Sequence, residues 1–208
     1  MQAKKIIVVY GIVSIIELVM AHSSVRYVTK PLLMILLAVY VYAGHLNSAS
    51  QRALLFTLLY AWLGDVFLLV PGNNPLFFQL GLASFLLMQV AYIRQFIGFG
   101  ALTWSWWSIP VLVYVFGFLA YLYPALPTAL LGPVIVYALA LGAMLYFAFQ
   151  LRVSSLTWGA ILFVISDSLL AFAKFKFEYP WNSFAVMSTY ILAQLLLIQA
   201  LCKLHAQR

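Results

Sequence analysis

Long apolar runs, separated by short polar or proline-containing segments, occupy almost the whole of this chain. A helix that crosses the hydrocarbon core of a membrane needs about 20 apolar residues, and these runs have roughly that length. The pattern therefore predicts an all-α polytopic membrane protein with eight transmembrane helices in one bundle, a single transmembrane helical domain over residues 1–208. The predicted spans are 5–21, 30–46, 53–71, 75–97, 106–123, 128–150, 154–174 and 181–203. Because the second run is short and the fifth is difficult to bound, a count of seven spans stays open.

The composition supports this class and excludes others. Hydrophobic residues make up 66% of the chain and charged residues 7%, which is well outside the range of soluble domains. The net charge of +7 comes from basic residues scattered between the apolar runs. This is the pattern of positively charged cytoplasmic loops, and not that of a patch that binds nucleic acid, so we expect no nucleic-acid partner. The single cysteine, Cys202, excludes a disulfide within the chain.

The basic residues also predict an orientation. The first run follows two lysines as a signal peptide would, but it contains Glu17 and lacks a convincing cleavage site, so we expect it to be retained as a span. If both termini are cytoplasmic, seven basic residues lie on the cytoplasmic side and four on the other side, which favours this orientation. The expected membrane is a bacterial inner membrane. The cytoplasmic set is Lys4, Lys5, Arg52, Arg94, Arg152, Lys203 and Arg208, and the opposite set is Arg26, Lys30, Lys174 and Lys176.

Two aspartates, Asp65 and Asp167, lie inside apolar runs of a chain that has four acidic residues. A carboxylate in hydrocarbon costs several kcal/mol unless it faces a cavity, meets a partner or takes up a proton. Spans three and seven run in the same direction, so both carboxyl groups fall in one layer of the membrane. Glu17 and Lys30 fall in the same leaflet. We therefore predict a functional site there, while structural capping by the aspartates and a structural pair of Glu17 with Lys30 or Arg26 stay open.

A possible internal repeat relates the two aspartates. Asp65 and Asp167 are 102 positions apart, and so are Pro31 and Pro133, each at the predicted start of the second span of its half. Proline is well suited to the first position of a helix. The spacing is compatible with two parallel four-helix halves, which would bring equivalent residues face to face across a central site. Chance is the alternative explanation.

Five ordered motifs, which run through nearly the whole chain, resemble those of the lysoplasmalogenase family, the YhhN-like integral membrane proteins. They are Thr29-Lys30-Pro31-Leu32-Leu33, Gly64-Asp65-x-x-Leu68-Leu69, Phe78-x-x-Gly81-Leu82-x-Ser84-Phe85, Ser166-Asp167-x-x-Leu170-Ala171 and Tyr190-x-x-Ala193-Gln194-x-Leu196-x-Ile198. The resemblance implies an eight-helix membrane fold and hydrolysis of the vinyl ether bond of lysoplasmalogens. The products would be a fatty aldehyde and a glycerophospho-base. The chain departs from the family at Gln89, where a histidine is usual, which indicates a dispensable histidine, a shifted substrate or reduced activity.

The chemistry of such a hydrolase fits two carboxyl groups. Cleavage needs a proton for the β-carbon, stabilisation of an oxocarbenium-like cation, and a water that attacks it; glycosidases achieve this with one protonated and one ionised carboxyl. We predict Asp167 as the acid and Asp65 as the stabilising base, kept ionised by Lys30. The sequence itself leaves the two roles interchangeable. The substrate-binding or supporting candidates are Lys30, Glu17, Gln89, Tyr92, Tyr190, Gln194 and Ser84.

Several of these candidates have simpler explanations. The glutamines and tyrosines are more often interhelical hydrogen-bond partners than catalytic groups, and Ser84 with Gly81 favours close helix packing. The histidines show no paired spacing, so we predict no metal and no cofactor. The expected partner is a lysoplasmalogen in the membrane lipid, and no feature specifies an oligomeric state. A proton-coupled transporter or lipid flippase and a non-catalytic lipid-binding protein are the alternative functions.

The hydrolase prediction carries a geometric requirement. The two carboxyl groups should lie within roughly 10 Å of each other across a cavity, as in inverting glycosidases. The cavity should also open laterally to admit one acyl chain.

Overall fold

The computed structural model describes residues 2–20, 23–44, 46–70, 75–102, 104–106, 108–177 and 179–207. These residues form eight α-helices and one turn of 3₁₀ helix, Tyr123–Ala125, and no other regular element. The α-helices are α1 (Gln2–Val19), α2 (Arg26–Tyr42), α3 (Ser48–Leu69), α4 (Pro75–Gly98), α5 (Ser108–Leu122), α6 (Thr128–Gln150), α7 (Ser154–Phe175) and α8 (Asn182–Ala206). The eight helices that the apolar runs predict are therefore present. The ends predicted at 21 and 71, and Arg208, lie outside the described residues.

The chain is an integral membrane protein. Within the described residues, six helical segments are long and apolar enough to cross a membrane: α3, α4, α5 with the 3₁₀ turn that follows it, α6, α7 and α8. The first two helices differ from these. α1 carries Lys4, Lys5 and Glu17, and α2 has 17 residues.

The predicted start of the second helix is wrong. α2 begins at Arg26, and Pro31 is the sixth residue of the helix instead of the first. The turn before it already supplies partners for the first amides, because the Val25 carbonyl accepts from Val28 and Thr29 at 3.0 Å each. Pro31 has no N–H group to donate to the carbonyl of Tyr27, so α2 lacks one backbone hydrogen bond there. Pro133 is likewise the sixth residue of α6 and not its first.

Helix packing follows the same order in the two halves of the chain. In the first half α1 packs on α2, α2 on α3 and α3 on α4, and the corresponding pairs form from α5 to α8. Contacts of α4 with α6 and of α2 with α8 join the halves. The helix starts of α2 and α6 are 102 positions apart but those of α3 and α7 are 106 apart. The internal duplication therefore stays a prediction.

Glycines allow the close helix crossings that position the candidate site. A Cβ on Gly64 of α3 would lie 2.7 Å from the Phe85 ring of α4, and one on Gly81 would lie 2.9 Å from Leu68. Such contacts leave no space for a larger residue, as in other membrane helix pairs that approach through small residues. The expected packing role of Gly81 is confirmed. The α3–α4 contact also sets the position of Asp65, which follows Gly64 directly.

Candidate active site

Asp65 lies in a buried ion pair. Its side chain is 1% exposed, and Lys30 Nζ lies 3.3 Å from its Oδ1 atom. The Tyr190 hydroxyl donates to the other carboxylate oxygen at 2.8 Å. Three helices, α2, α3 and α8, therefore converge on one carboxyl group, and both of its oxygens have partners. A cation and a hydroxyl donor together favour the ionised form of a buried carboxylate.

Glu17 belongs to the same charged cluster. It is fully buried, it accepts a hydrogen bond from the Thr29 hydroxyl, and it interacts electrostatically with Asp65. Within the described residues Glu17 forms no ion pair with Lys30 or Arg26, and Lys30 pairs with Asp65 instead. The structure therefore brings Glu17, Lys30 and Asp65 together as predicted, but with a different pairing.

Asp167 has a different environment. The Tyr137 hydroxyl of α6 donates to its Oδ2 atom at 2.5 Å, and no described cation lies at ion-pair distance. The carboxyl group lines a cavity with about 810 Å³ of empty space, part of it open to the surroundings. Apolar and aromatic side chains form most of the other walls, among them Phe78, Leu82 and Phe85. A group in this position meets an apolar ligand directly.

The two carboxyl groups interact electrostatically, but only Asp167 lines the cavity. Asp65 is not among its lining residues. Phe85 forms the wall on the side of Asp65: its ring lines the cavity, packs edge-on against Tyr190 with centroids 6.0 Å apart, and touches the position of Gly64. The expectation that both carboxyl groups face one cavity is therefore met by Asp167 and not by Asp65.

Three of the supporting candidates bond elsewhere. The Tyr92 hydroxyl donates to the side-chain oxygen of Gln194 at 2.7 Å, and the side-chain nitrogen of Gln194 lies 3.1 Å from the Met88 sulfur. The Ser84 hydroxyl donates to the carbonyl of Leu80 in its own helix at 2.8 Å. Tyr92 and Gln194 thus join α4 to α8, which is the interhelical role that membrane helices commonly give such residues.

Gln89 is one of several side chains, Asn182 among them, whose buried polar atoms have no hydrogen-bond partner among the described residues. It is fully buried, and neither atom of its amide group has a hydrogen-bond partner in the described part of the chain. Most buried polar groups in folded proteins do have partners, so an orphaned amide calls for an explanation. Gln89 lies one helical turn beyond Phe85 on α4. Its position near the cavity wall is compatible with a polar ligand group, and its predicted role stays a prediction.

No site role was assigned to Tyr137 or to Phe85 from the sequence, although Phe85 ends one of the five motifs. Tyr137 is one of 13 tyrosines and Phe85 is one of 16 phenylalanines, so residue type alone does not distinguish them. Tyr137 also precedes Asp167 by 30 positions on another helix. The one available indication was a hydroxyl in the middle of an apolar span, where a polar group needs a partner.

The described residues contain no group of three or more His, Cys, Asp and Glu side chains that could hold a metal ion. His22 and His45 lie outside the described residues. The polar groups of the described site are carboxyl, hydroxyl, amide and ammonium groups.

Comparison with known proteins gives a consistent result. The YhhN family model matches residues 25–201. Lysoplasmalogenase TMEM86A of Bos taurus is 30% identical over 162 residues, 73% of this chain and 66% of that protein. Lysoplasmalogenase TMEM86B of Homo sapiens is 32% identical over 134 residues, 64% of this chain and 56% of that protein. The protein of the same name from Mus musculus is 44% identical over 66 residues, 32% of this chain and 29% of that protein.

The matched part of this chain covers 29%, 56% and 66% of the length of the mouse, human and bovine proteins, respectively. No solved structure matches it.

Proposed function

The chain belongs to the YhhN family, and on that basis we propose that it hydrolyses the vinyl ether bond of lysoplasmalogens within the membrane. The products are a fatty aldehyde and a glycerophospho-base. The relatives that carry the name lysoplasmalogenase support this activity. The family resemblance predicted from the five sequence motifs is confirmed by the match of the family model.

The main structural support for the proposal is that the carboxyl group of Asp167 lines an apolar cavity. A lysoplasmalogen has one long chain whose first two carbons form the vinyl ether. When the cavity holds the chain, those carbons lie next to the carboxyl group. A proton donor in the wall of a cavity that binds the chain is what this reaction requires.

In the first step Asp167 acts as the acid. Its carboxyl proton passes to the β-carbon of the vinyl ether, and the double-bond electrons form the new C–H bond. The α-carbon becomes an oxocarbenium ion that shares its positive charge with the ether oxygen. The Tyr137 hydroxyl, 2.5 Å from Oδ2, positions the carboxyl group and stabilises the carboxylate that the transfer leaves.

In the second step a water attacks the cationic α-carbon. Asp65 is the ionised group that stabilises the cation and accepts the proton that the water loses, directly or through Tyr190. The hemiacetal then breaks its bond between the α-carbon and the glycerol oxygen. The glycerol oxygen takes up the proton that Asp65 holds, and the hemiacetal hydroxyl gives its proton to the Asp167 carboxylate as the aldehyde forms, so both carboxyl groups return to their starting states. The complete reaction consumes one water molecule for each ether bond that is broken.

The charged cluster around Asp65 explains how that group stays ionised in apolar surroundings. Lys30 lies 3.3 Å away, and the buried pair is stable because each charge has the other as partner. Since Asp65 lies behind the wall that Phe85 forms, with Tyr190 packed against that ring, the proposal requires these two rings to shift when substrate and water bind. Gln89, whose buried amide has no partner among the described residues, is the group that we propose to hold the water or the ether oxygen.

The arrangement in the membrane is also proposed. All eight helices cross the bilayer as one bundle over residues 1–208, both termini are cytoplasmic, and the membrane is a bacterial inner membrane. The six long apolar helices support this arrangement, and the distribution of basic residues supports the orientation.

An isotope experiment tests the reaction. The purified protein is incubated with a lysoplasmalogen in D2O and the aldehyde is trapped at once by reduction. One deuterium should appear on the carbon next to the carbonyl. In H2¹⁸O the glycerophospho-base should contain no label, because water attacks the vinyl carbon. Label in the glycerol hydroxyl, or no aldehyde at all, would contradict the proposal.

A further inference from the structure

A second cavity adjoins the one that Asp167 lines. The two cavities share the walls formed by Leu68, Phe78 and Phe175. The second one has about 1090 Å³ of empty space, part of it open to the surroundings, and its lining includes the polar side chains of Lys174 and Gln79. It lies where α7 ends and α4 begins. An apolar cavity thus adjoins a cavity that an ammonium group and an amide group also line.

We infer that this second cavity binds the phosphodiester of the lysolipid head group, with Lys174 as the cation that recognises it. The inference rests on the proposed function, since it names the head-group part of the same substrate. An ammonium group binds phosphate as a compact charge with three donors. No acidic residue is among the described lining residues to compete for Lys174.

The spacing of Asp167 and Lys174 on α7 matches the substrate. Seven residues advance a helix by about 10 Å and by nearly two full turns, so both side chains lie on almost the same face. In a lysoplasmalogen, seven covalent bonds join the phosphorus to the vinyl carbon that takes up the proton. At ordinary bond lengths that path spans roughly 9 Å when extended. A substrate with its vinyl ether at Asp167 therefore places its phosphate at Lys174.

Aromatic rings hold the lysine at the boundary between the cavities. Lys174 Nζ lies 5.2 Å from the centroid of the Phe78 ring. Phe78 in turn packs edge-on against Phe175, with centroids 5.9 Å apart. Both rings line both cavities. The ammonium group is therefore held beside the passage through which the glycerol part of the substrate must run.

Lys176 provides a matched comparison. It carries the same charge at the same end of α7, and its Nζ atom lies 4.7 Å from the centroid of the Tyr121 ring. It is not among the residues that line the second cavity. A general effect of positive charge at this membrane surface would depend on both lysines, whereas phosphate recognition in the cavity depends on Lys174.

Kinetics in mixed micelles test the inference. Lys174→Gln should raise KM by about tenfold, because one charge-assisted interaction is lost, while kcat stays within about twofold since the reacting groups are untouched. Lys174→Arg should restore most of the affinity, and Lys176→Gln should behave as wild type. An unchanged KM in Lys174→Gln, or an equal rise in Lys176→Gln, would overturn the inference.

A binding measurement separates this inference from the proposed activity. A saturated 1-O-alkyl glycerophosphocholine, which has no vinyl ether to cleave, should raise the melting temperature of the wild type more than the matching 1-O-alkyl glycerol does. Lys174→Gln should abolish that difference. Inorganic phosphate at the same concentration should give no shift, because it lacks the chain that the first cavity holds. Equal shifts from the two lipids, or a phosphate shift as large as that of the lysolipid, would contradict the head-group site even if aldehyde release is observed. If no aldehyde is released, the proposed activity fails and this measurement still decides the site.

Discussion

Removing both partners of the Lys30–Asp65 pair should destabilise the protein by less than the sum of the two single removals. The two charges are 3.3 Å apart, and their side chains are 9% and 1% exposed. At an effective dielectric constant of about 20, charges at that distance attract by about 5 kcal/mol, part of which offsets the desolvation of the two groups. Breaking such a pair leaves one uncompensated buried charge, which costs roughly 3–5 kcal/mol. The double variant removes both charges of the pair, so its loss of stability should be smaller than the sum of the two single losses.

A double-mutant cycle measures this difference. We expect Lys30→Met and Asp65→Asn each to lower the free energy of unfolding in mixed micelles by about 3 kcal/mol. The variant with both changes should lose less than the sum of the two, with a coupling energy of about 2 kcal/mol. Lys5→Met is the matched control, because Lys5 is exposed on α1, and it should change stability by less than about 0.5 kcal/mol.

The outcome decides whether Asp65 is held ionised by Lys30. If the two single changes are additive, the pair contributes no coupling and the proposed stabiliser loses its cation. If Lys30→Met leaves stability unchanged, Asp65 has another source of compensation. Either result would refute the reasoning that separates the roles of the two aspartates.

Three further changes test the surroundings of the site. Gly64→Ala places a Cβ 2.7 Å from the Phe85 ring and should cost about 1–3 kcal/mol of stability by overpacking, whereas Gly11→Ala, with open space around it, should be neutral or slightly stabilising in the same unfolding assay. Tyr137→Phe removes the hydrogen bond of 2.5 Å to the carboxyl group in the cavity, so aldehyde release should fall about tenfold with little change in KM; unchanged kcat would contradict a positioning role. Gln89→Leu removes an orphaned buried amide and should raise the free energy of unfolding by about 1–2 kcal/mol; a loss of stability would mean that the amide has a partner.

The sequence was sufficient to predict the helices but not their ends. Membrane spans are encoded by the length of apolar runs, and all eight runs correspond to helices in the described residues. The start of α2 was predicted at Lys30 because Pro31 usually opens a helix. The structure extends α2 back to Arg26, since polar side chains such as Thr29, which bonds to Glu17, belong to the helix and not to the loop before it.

The candidate site, like the helices, was predicted only in part. The depth of its residues in the membrane was predictable, and the rotation of the helices was not. Residue type and topology together place Glu17, Lys30 and Asp65 in one layer, and the structure joins them in one cluster. Helices that are apolar on nearly every side do not show in their sequence which face points inward. The contacts that depend on helix rotation, such as Tyr137 with Asp167, therefore could not be predicted.

Aldehyde release by the wild type and by the two aspartate variants tests the central claim most directly. The purified protein should release fatty aldehyde from a lysoplasmalogen. Asp167→Asn should lower kcat by about a thousandfold and Asp65→Asn by about a hundredfold, as expected for the loss of an acid and of a stabilising base, while Lys5→Met should retain full activity. The absence of aldehyde from the wild type would contradict the proposed reaction. Full activity in both aspartate variants would contradict the proposed site.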